Sequence, residues 1–150
     1  MKFKKSIFSA LATLFLVSPV FAELVFPSLS YRTGAYGPNG IPFADGYEDY
    51  FTLMNERDGG IGGEPVRVVK CETAYNTEKG VECYESTKGE GSLAYQPLST
   101  GITYQLIPKA SADNIPILSS GYGRTSAKNG KIFKWVFKFP GTYCDAASIA

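Results

Sequence analysis

The chain contains 150 residues with a formal net charge of +1, and none of those residues is histidine. A near-neutral chain without a cluster of basic residues lacks the electrostatic footprint of a nucleic-acid-binding protein, so no nucleic-acid partner is expected. The absence of histidine excludes hydrolytic Ser–His triads and removes the commonest metal ligand. Because a nucleotide-binding glycine fingerprint is also missing, the sequence argues against an enzyme, and no cofactor is predicted.

The first 22 residues have the layout of a cleavable secretory signal. Lys2, Lys4 and Lys5 precede an apolar run over Ile7–Val17, and a small-residue exit follows at Ala22. The run is about half of the ~20 residues that a membrane-spanning helix requires. We therefore expect cleavage after Ala22 and an exported mature chain of residues 23–150, whose net charge falls to −2 once the three lysines are removed.

The first part of the mature chain predicts a strand, a helix and a second strand. Leu24–Leu29 is a short apolar strand, and a loop rich in glycine and proline follows it. Apolar residues then recur at helical spacing in a helix whose first turn contains Pro42 and which stops at Gly59–Gly60. The β-branched run Val66–Cys71 predicts the second strand. The residues of the apolar helix face are Phe43, Tyr47, Tyr50, Phe51 and Met54.

The rest of the chain continues this rhythm of helices and strands. A second helix over Thr77–Lys88 should stop at Gly89. A third helix, which starts near Ser99, should kink or end near Ile107, because Pro108 cannot donate a backbone hydrogen bond. The order of elements predicts an α/β fold with a mostly parallel sheet. The remaining predicted elements are the strands Leu93–Gln96, Ile115–Leu118 and Phe133–Phe139 and a last helix from Thr142 to Ala150.

Cysteine usage suits an oxidising compartment. Cys71 ends the second predicted strand and Cys83 lies in the helix that follows. A disulfide between them would close a loop of about a dozen residues and stabilise the fold by roughly 2–3 kcal/mol. Two buried free thiols are the alternative. Cys144 would be left without a partner in this chain.

In parallel α/β sheets, ligands bind in the crevice outside the carboxyl ends of the strands. The loops at that edge are polar and small here. One carries Tyr36, one carries Ser99 and Thr100 at a helix start, and one contains Ser119–Gly123. The exposed N–H groups of a helix start attract a carboxylate, so the second loop is a candidate carboxylate site. Simple capping of the helix by either hydroxyl is the alternative.

Three segments carry a resemblance to a known family: LSYRTGAYGPNGIPFADGYEDYFTLMNERDGGIGG, PLSTGIT and IPILSSGYG. With these segments the chain resembles the periplasmic substrate-binding proteins of ABC transporters, of the branched-chain amino-acid (leucine-binding) type. The resemblance covers nearly the whole mature part. It implies a type I periplasmic-binding fold, in which two α/β lobes close around an amino acid by hinge bending. Because family members are far longer, the resemblance also implies that this chain corresponds only to the N-terminal portion of a family member and is incomplete at its C-terminus.

The resemblance further implies where the ligand binds. Ser99 stands where the family holds the ligand carboxylate, and Gly123 stands where the family has a threonine. An aromatic residue of the first loop often lines the pocket in the family, and Tyr36 is its counterpart here. With the helix start included, the predicted ligand-binding residues are Tyr36, Ser99, Thr100, Gly121, Tyr122 and Gly123.

These expectations make the chain the solute-binding component of an ABC importer for amino acids or related small amides, in a truncated form. Its partners are then a small-molecule ligand and the membrane permease of the importer. A ligand-sensing or interaction domain of the same fold, without a transport role, is the alternative. The family's second lobe normally supplies the acidic partner for the ligand's ammonium. The chain alone is therefore expected to bind amino acids poorly.

Overall fold

The computed structural model describes residues 23–120, 123 and 125–150. The predicted signal segment lies outside the described residues. Four strands and four helices follow one another along the described chain, with short 3₁₀ turns at Lys88–Glu90 and Thr125–Lys128. In chain order they are β1 (Leu24–Ser30), α1 (Gly37–Asp58), β2 (Val66–Glu72), α2 (Thr77–Thr87), α3 (Thr100–Asp113), β3 (Ile117–Ser119), β4 (Val136–Lys138) and α4 (Tyr143–Ser148).

The strands pair in parallel and form one continuous layer. β1 pairs with β2, β3 pairs with β4, and residues 92–95 lie between the two pairs. The Leu93 N–H donates to the Val25 carbonyl at 3.0 Å, and the Leu118 N–H donates to the Tyr95 carbonyl at 2.8 Å. The predicted third strand is thus reduced to isolated bridges. The order β2, β1, residues 92–95, β3, β4 confirms the predicted α/β fold with a mostly parallel sheet.

Helix α1 begins at Gly37, earlier than predicted, so Pro42 lies inside the helix instead of in its first turn. The predicted apolar face is only partly buried, and Phe43 and Tyr50 are exposed. Pro38, not Pro42, stands in the first turn of the helix, and small residues of this turn pack closely against the chain at the end of β1. Farther along α1, Phe51 stacks on a phenylalanine of β1 at a ring-centroid distance of 5.0 Å. The fully buried residues of the helix are Gly37, Gly40 and Ala44.

Helix α3 runs through Pro108 and is capped by Asn114, whose φ of 57° is left-handed. Of the two predicted outcomes near Ile107, a kink or an end, the end is therefore wrong. Leu106, Ile107 and Ala110 are buried on either side of the proline, whereas Pro108 itself is exposed. Burial of these apolar side chains outweighs the ~3 kcal/mol that an internal proline costs.

Three smaller boundaries also differ from the prediction. Gly91, not Gly89, supplies the left-handed backbone that stops the second helical segment, because a 3₁₀ turn extends α2. β3 begins at Ile117 instead of Ile115. β4 has only three residues, because turns occupy most of residues 130–135. Local turn formation, which apolar composition does not report, shortens β4.

The main core lies between the sheet and helices α2 and α3. A disulfide joins Cys71 of β2 to Cys83 of α2, with the two Cα atoms 5.7 Å apart, so the structure does not contain the alternative pair of free thiols. Cys144 is an exposed free cysteine. The disulfide ties α2 to the sheet beside the core. The buried residues of this core are Leu29, Cys83, Tyr84, Tyr95, Ile102, Leu106, Ala110 and Ile117.

Apolar side chains are exposed on β3 and β4. Leu118 and Phe137 are neighbours in the strand register and are 39% and 51% exposed. α1 packs mainly on β1 and β2, and it leaves these two side chains in solvent. Within residues 23–120, 123 and 125–150, no helix combines the length and apolar character needed to cross a bilayer.

Candidate functional site

A cleft of about 360 Å³ opens at the carboxyl ends of the strands. This is the edge at which parallel α/β sheets bind their ligands. Every strand segment of the sheet contributes a loop to the walls, and α1 contributes one ring. The lining residues are Tyr31, Phe43, Tyr75, Gln96, Leu98, Ser99, Thr100, Ser120, Phe139, Pro140 and Tyr143.

The start of α3 forms the polar part of the cleft. Ser99 has an extended backbone, and its hydroxyl oxygen accepts a hydrogen bond from the Ile102 N–H at 3.3 Å. Ser99 therefore caps α3, as the capping alternative predicts. Capping uses the hydroxyl oxygen as an acceptor, so the hydroxyl proton can still be donated to a ligand. The N–H groups of Thr100 and Gly101 belong to the first helical turn, where they have no partner within the helix. Together with the helix dipole they favour an anion at this point.

The structure brings some of the predicted ligand-binding residues together but not all. Ser99 and Thr100 line the cleft. Tyr36 lies beside the lining residues and contacts them through its ring. Gly123 packs behind Thr100, because a Cβ at position 123 would collide with the Tyr104 hydroxyl and approach the Thr100 methyl group to 2.8 Å. The two remaining predicted positions, Gly121 and Tyr122, lie outside the described residues.

Three tyrosines from two loops form one wall, which we call the tyrosine wall: Tyr31, Tyr36 and Tyr75. The ring of Tyr75 lies 4.8 Å from Tyr31, edge to face, and 4.3 Å from Tyr36, measured between centroids. Tyr75 has a left-handed backbone with φ of 59°, and the preceding Ala74 also has positive φ. Tyr75 was not among the predicted ligand-binding residues. Tyr75 lies in the loop after β2, and loops that follow parallel strands line the ligand crevice, so this position could have indicated Tyr75.

The opposite wall comes from the chain after β4. Phe139, Pro140 and Tyr143 line the cleft there, and none of them was predicted. Thr142 caps α4 in a capping box with Asp145: the Thr142 N–H donates to the carboxylate at 2.7 Å, and the Asp145 N–H donates to the Thr142 hydroxyl at 3.3 Å. This box holds Tyr143 at the cleft edge. The capping pattern at Thr142 was visible in the sequence, but its position beside the cleft was not.

The described lining residues carry no ionisable group other than tyrosine phenols. Burial, with the nearby Tyr75 and Tyr36, raises the pKa of Tyr31, so its phenol stays neutral at physiological pH. Just outside the cleft, the carboxylate of Glu72 accepts backbone hydrogen bonds from Arg32 at 2.8 Å and Ala74 at 2.7 Å. Burial of this carboxylate by itself would raise its pKa, but the hydrogen bonds outweigh burial and lower the pKa of Glu72. Glu72 therefore ties the loops after β1 and β2 together while it remains charged.

The capping box gives a pH-dependent prediction. A hydrogen bond from Lys128, at 2.6 Å, and those from Thr142 lower the pKa of Asp145 to about 2. A carboxyl with a depressed folded-state pKa stabilises the fold above its unfolded pKa of about 4 and loses that contribution as the pH falls toward 2. In an NMR titration of the carboxyl carbon, Lys128→Met should raise the Asp145 midpoint toward 4. Lys131→Met, which removes a nearby lysine outside the box, should leave it in place. Equal midpoints in wild type and Lys128→Met would contradict this role of Lys128.

Known proteins resemble the chain along most of its length. A model of the family described as "Periplasmic binding protein" matches residues 24–150. The chain belongs to the periplasmic binding protein family. This membership confirms the resemblance expected from the sequence, and the family is one of solute-binding proteins. No curated protein matches the chain.

Solved structures of periplasmic binding proteins share the fold. A protein of the Pseudomonas fluorescens group, described as an ABC transporter permease, is 36% identical, with a TM-score of 0.76 over 85% of this chain and 32% of that one. The branched-chain amino-acid substrate-binding protein LivJ of Streptococcus pneumoniae, in complex with isoleucine, is 16% identical, with a TM-score of 0.70 over 81% of this chain and 34% of that one. A fatty-acid ABC transporter substrate-binding protein of Thermomonospora curvata is 22% identical, with a TM-score of 0.69 over 81% and 30%.

The chain spans about a third of the length of these structures. Their similarity confirms the predicted type I periplasmic-binding fold, of which the chain forms part of one lobe. Within the described part of the chain, no group of three or more His, Cys, Asp or Glu side chains could hold a metal ion. The candidate site is therefore the cleft itself, with a helix start on one side and aromatic rings on the others.

Proposed function

We propose that the chain is the solute-binding component of an ABC importer for an amino acid of the branched-chain type or a related small amide, and that it recognises the carboxylate of an amino-acid ligand. The observation that carries the proposal is the start of α3, which opens into the cleft at the carboxyl edge of the sheet with Ser99 and Thr100 on its surface. Free N–H groups and a positive dipole end at such a place favour a carboxylate.

In this proposal the site belongs to an exported receptor that acts with a membrane permease. Residues 1–22 act as a secretory signal that is removed after Ala22, and the mature chain works in the periplasm. The macromolecular partner is the membrane permease of the importer. Because the matched structures are about three times longer, the ligand in a complete receptor also contacts groups outside this chain. Binding tests therefore use the natural protein at its full length.

The decisive variant is Ser99→Asp, since aspartate caps a helix about as well as serine but places a negative charge where the ligand carboxylate would bind. We expect Ser99→Asp to keep the thermal stability of the wild type. Its affinity for amino-acid ligands should fall by at least about tenfold, as expected when a charged hydrogen bond is replaced by like-charge repulsion. Thermal unfolding followed by circular dichroism measures the stability. Isothermal titration calorimetry with the common amino acids and their C-terminal amides, which lack the carboxylate charge, measures the affinity.

The control is Ser86→Ala, which removes an exposed hydroxyl of α2 whose hydrogen bond to the Cys83 carbonyl lies within its own helix. Ser86→Ala should bind every ligand as the wild type does. The proposal fails if Ser99→Asp binds amino acids within twofold of the wild type. In that case Ser99 is only the cap of α3.

A further inference from the structure

The cleft has an unusual density of partly exposed aromatic rings. Tyr36, Tyr75, Phe43, Phe139 and Tyr143 are each between 36% and 57% exposed around the same opening. Single exposed rings are common on protein surfaces, but a contiguous group of them marks a binding surface. The rings come from three segments that are distant along the chain: the start of α1, the loop after β2, and the segment from the loop after β4 into α4. Neither one helix nor one strand face therefore accounts for their proximity.

Tyr75 occupies its place against a backbone preference. Its φ of 59° and that of Ala74, 49°, lie in the left-handed region, which is unfavourable for residues with a Cβ. Hydrogen bonds from the Ala74 N–H to Glu72, at 2.7 Å, and from the Tyr75 N–H to the Thr73 hydroxyl, at 3.3 Å, hold this turn. The result is a ring that projects into the cleft while it remains 40% exposed.

The rings form a wall and not a cation cage. Centroid distances within the tyrosine wall are 4.3–6.4 Å, which is direct ring-to-ring contact and leaves no space for an ammonium group between the rings. The described lining residues also include no aspartate or glutamate that could pair with such a group. The remaining open surface of Tyr75 and Tyr36 suits a planar apolar group, because aromatic rings pair favourably in offset-stacked or edge-to-face geometry.

We infer that the solute carries a planar aromatic ring in addition to its carboxylate, and that Tyr75 selects that ring. The inference rests on the carboxylate recognition in the proposed function, and it replaces the branched-chain side chain of that proposal with a ring: the carboxylate lies at the start of α3, and the ring lies against the tyrosine wall. The shared chemistry, a ring and a carboxylate, is found both in aromatic amino acids and in arylalkanoic acids. The two sources differ only in the ammonium group.

Four probes separate these features in the full-length protein. Phenylalanine and 3-phenylpropanoate carry the ring with and without the ammonium, and leucine and 4-methylpentanoate are their aliphatic counterparts. By calorimetry, we expect at least one ring-bearing probe to bind about tenfold more tightly than its aliphatic counterpart. Preference between the two ring-bearing probes identifies the source of the ligand.

Variants at Tyr75 test its role as the selecting residue. Tyr75→Gly removes the ring but keeps a residue that tolerates the left-handed backbone. It should remove the tenfold preference for the ring and leave the affinity for aliphatic probes nearly unchanged. Tyr75→Phe, which keeps an aromatic ring at this position, should keep the preference for ring-bearing probes. Tyr50→Ala, which removes an exposed tyrosine of α1 that does not line the cleft, is the control and should change neither affinity.

The outcomes distinguish this inference from the proposed function. If the aliphatic probes bind as tightly as the aromatic ones and Ser99→Asp still weakens both, the ring inference is wrong and the carboxylate site stands. If Tyr75→Gly weakens aromatic and aliphatic probes equally, Tyr75 shapes the cleft without selecting a ring. If no probe binds, both the ring inference and the proposed carboxylate recognition are contradicted.

Discussion

Replacing Gly40 with alanine should lower the free energy of unfolding by about 3 kcal/mol, at the upper end of the usual cost of overpacking. A Cβ at position 40 would overlap the carbonyl oxygen of Tyr31 and its ring. The Cβ would clash mainly with backbone atoms of Tyr31, which cannot rotate away as the end of a flexible side chain can. Either α1 or the end of β1 must move, and because Tyr31 belongs to the tyrosine wall, the cleft should be disturbed as well.

The matched control is Gly46→Ala in the same helix. Nothing lies within 4 Å of a Cβ at position 46, and the helical backbone there accepts alanine. This variant should be stabilised by about 0.5–1 kcal/mol, since alanine is the better helix former. Urea unfolding followed by the fluorescence of Trp135 measures both variants. If Gly40→Ala is as stable as Gly46→Ala, then the close approach of α1 to β1 is absent in solution.

Removing the disulfide should cost a similar amount. The bond between Cys71 and Cys83 closes a loop with a sequence separation of 12, and the chain-entropy relation for a loop of this size gives about 3 kcal/mol. The double variant Cys71→Ala/Cys83→Ala should therefore unfold at a much lower urea concentration than the wild type. The elements affected are β2 and α2, which the bond connects beside the core.

Two comparisons isolate the contribution of the bond itself. Cys144→Ala removes an exposed free cysteine and should leave the unfolding curve unchanged. Reduction of the wild type with a phosphine reductant should reproduce most of the loss without the packing change that truncation of buried Cys83 introduces. Equal unfolding midpoints for oxidised and reduced wild type would show that the bond does not stabilise the folded chain.

Part of the candidate site could be predicted because its signals are local. Ser99 and Thr100 stand at a helix start, and the hydroxyl of Ser99 accepts a hydrogen bond from an N–H only three residues away. A helix cap is a property of consecutive residues, so it appears in the sequence. The ligand edge of the sheet follows as well, because the order of strands and helices determines at which end of the strands the loops lie.

The tyrosine wall could not be predicted in the same way. Tyr31 and Tyr36 come from the loop after β1, whereas Tyr75 comes from the loop after β2, and their contact depends on the pairing of those two strands. The left-handed backbone at Tyr75 gives no sequence signal, because glycine or asparagine would be the usual residue there. Phe139 and Tyr143 likewise reach the cleft only through the pairing of β4 with β3.

The sequence by itself determined the α/β order, the parallel sheet, the proximity of Cys71 to Cys83 and the helix start at Ser99. Each of these follows from residues that are close along the chain or from the periodicity of one element. Only the tertiary structure decided that α3 continues through Pro108 and that aromatic rings surround the cleft. These features depend on packing between segments distant in sequence, where close contact and apolar burial outweigh local propensities of about 1–3 kcal/mol.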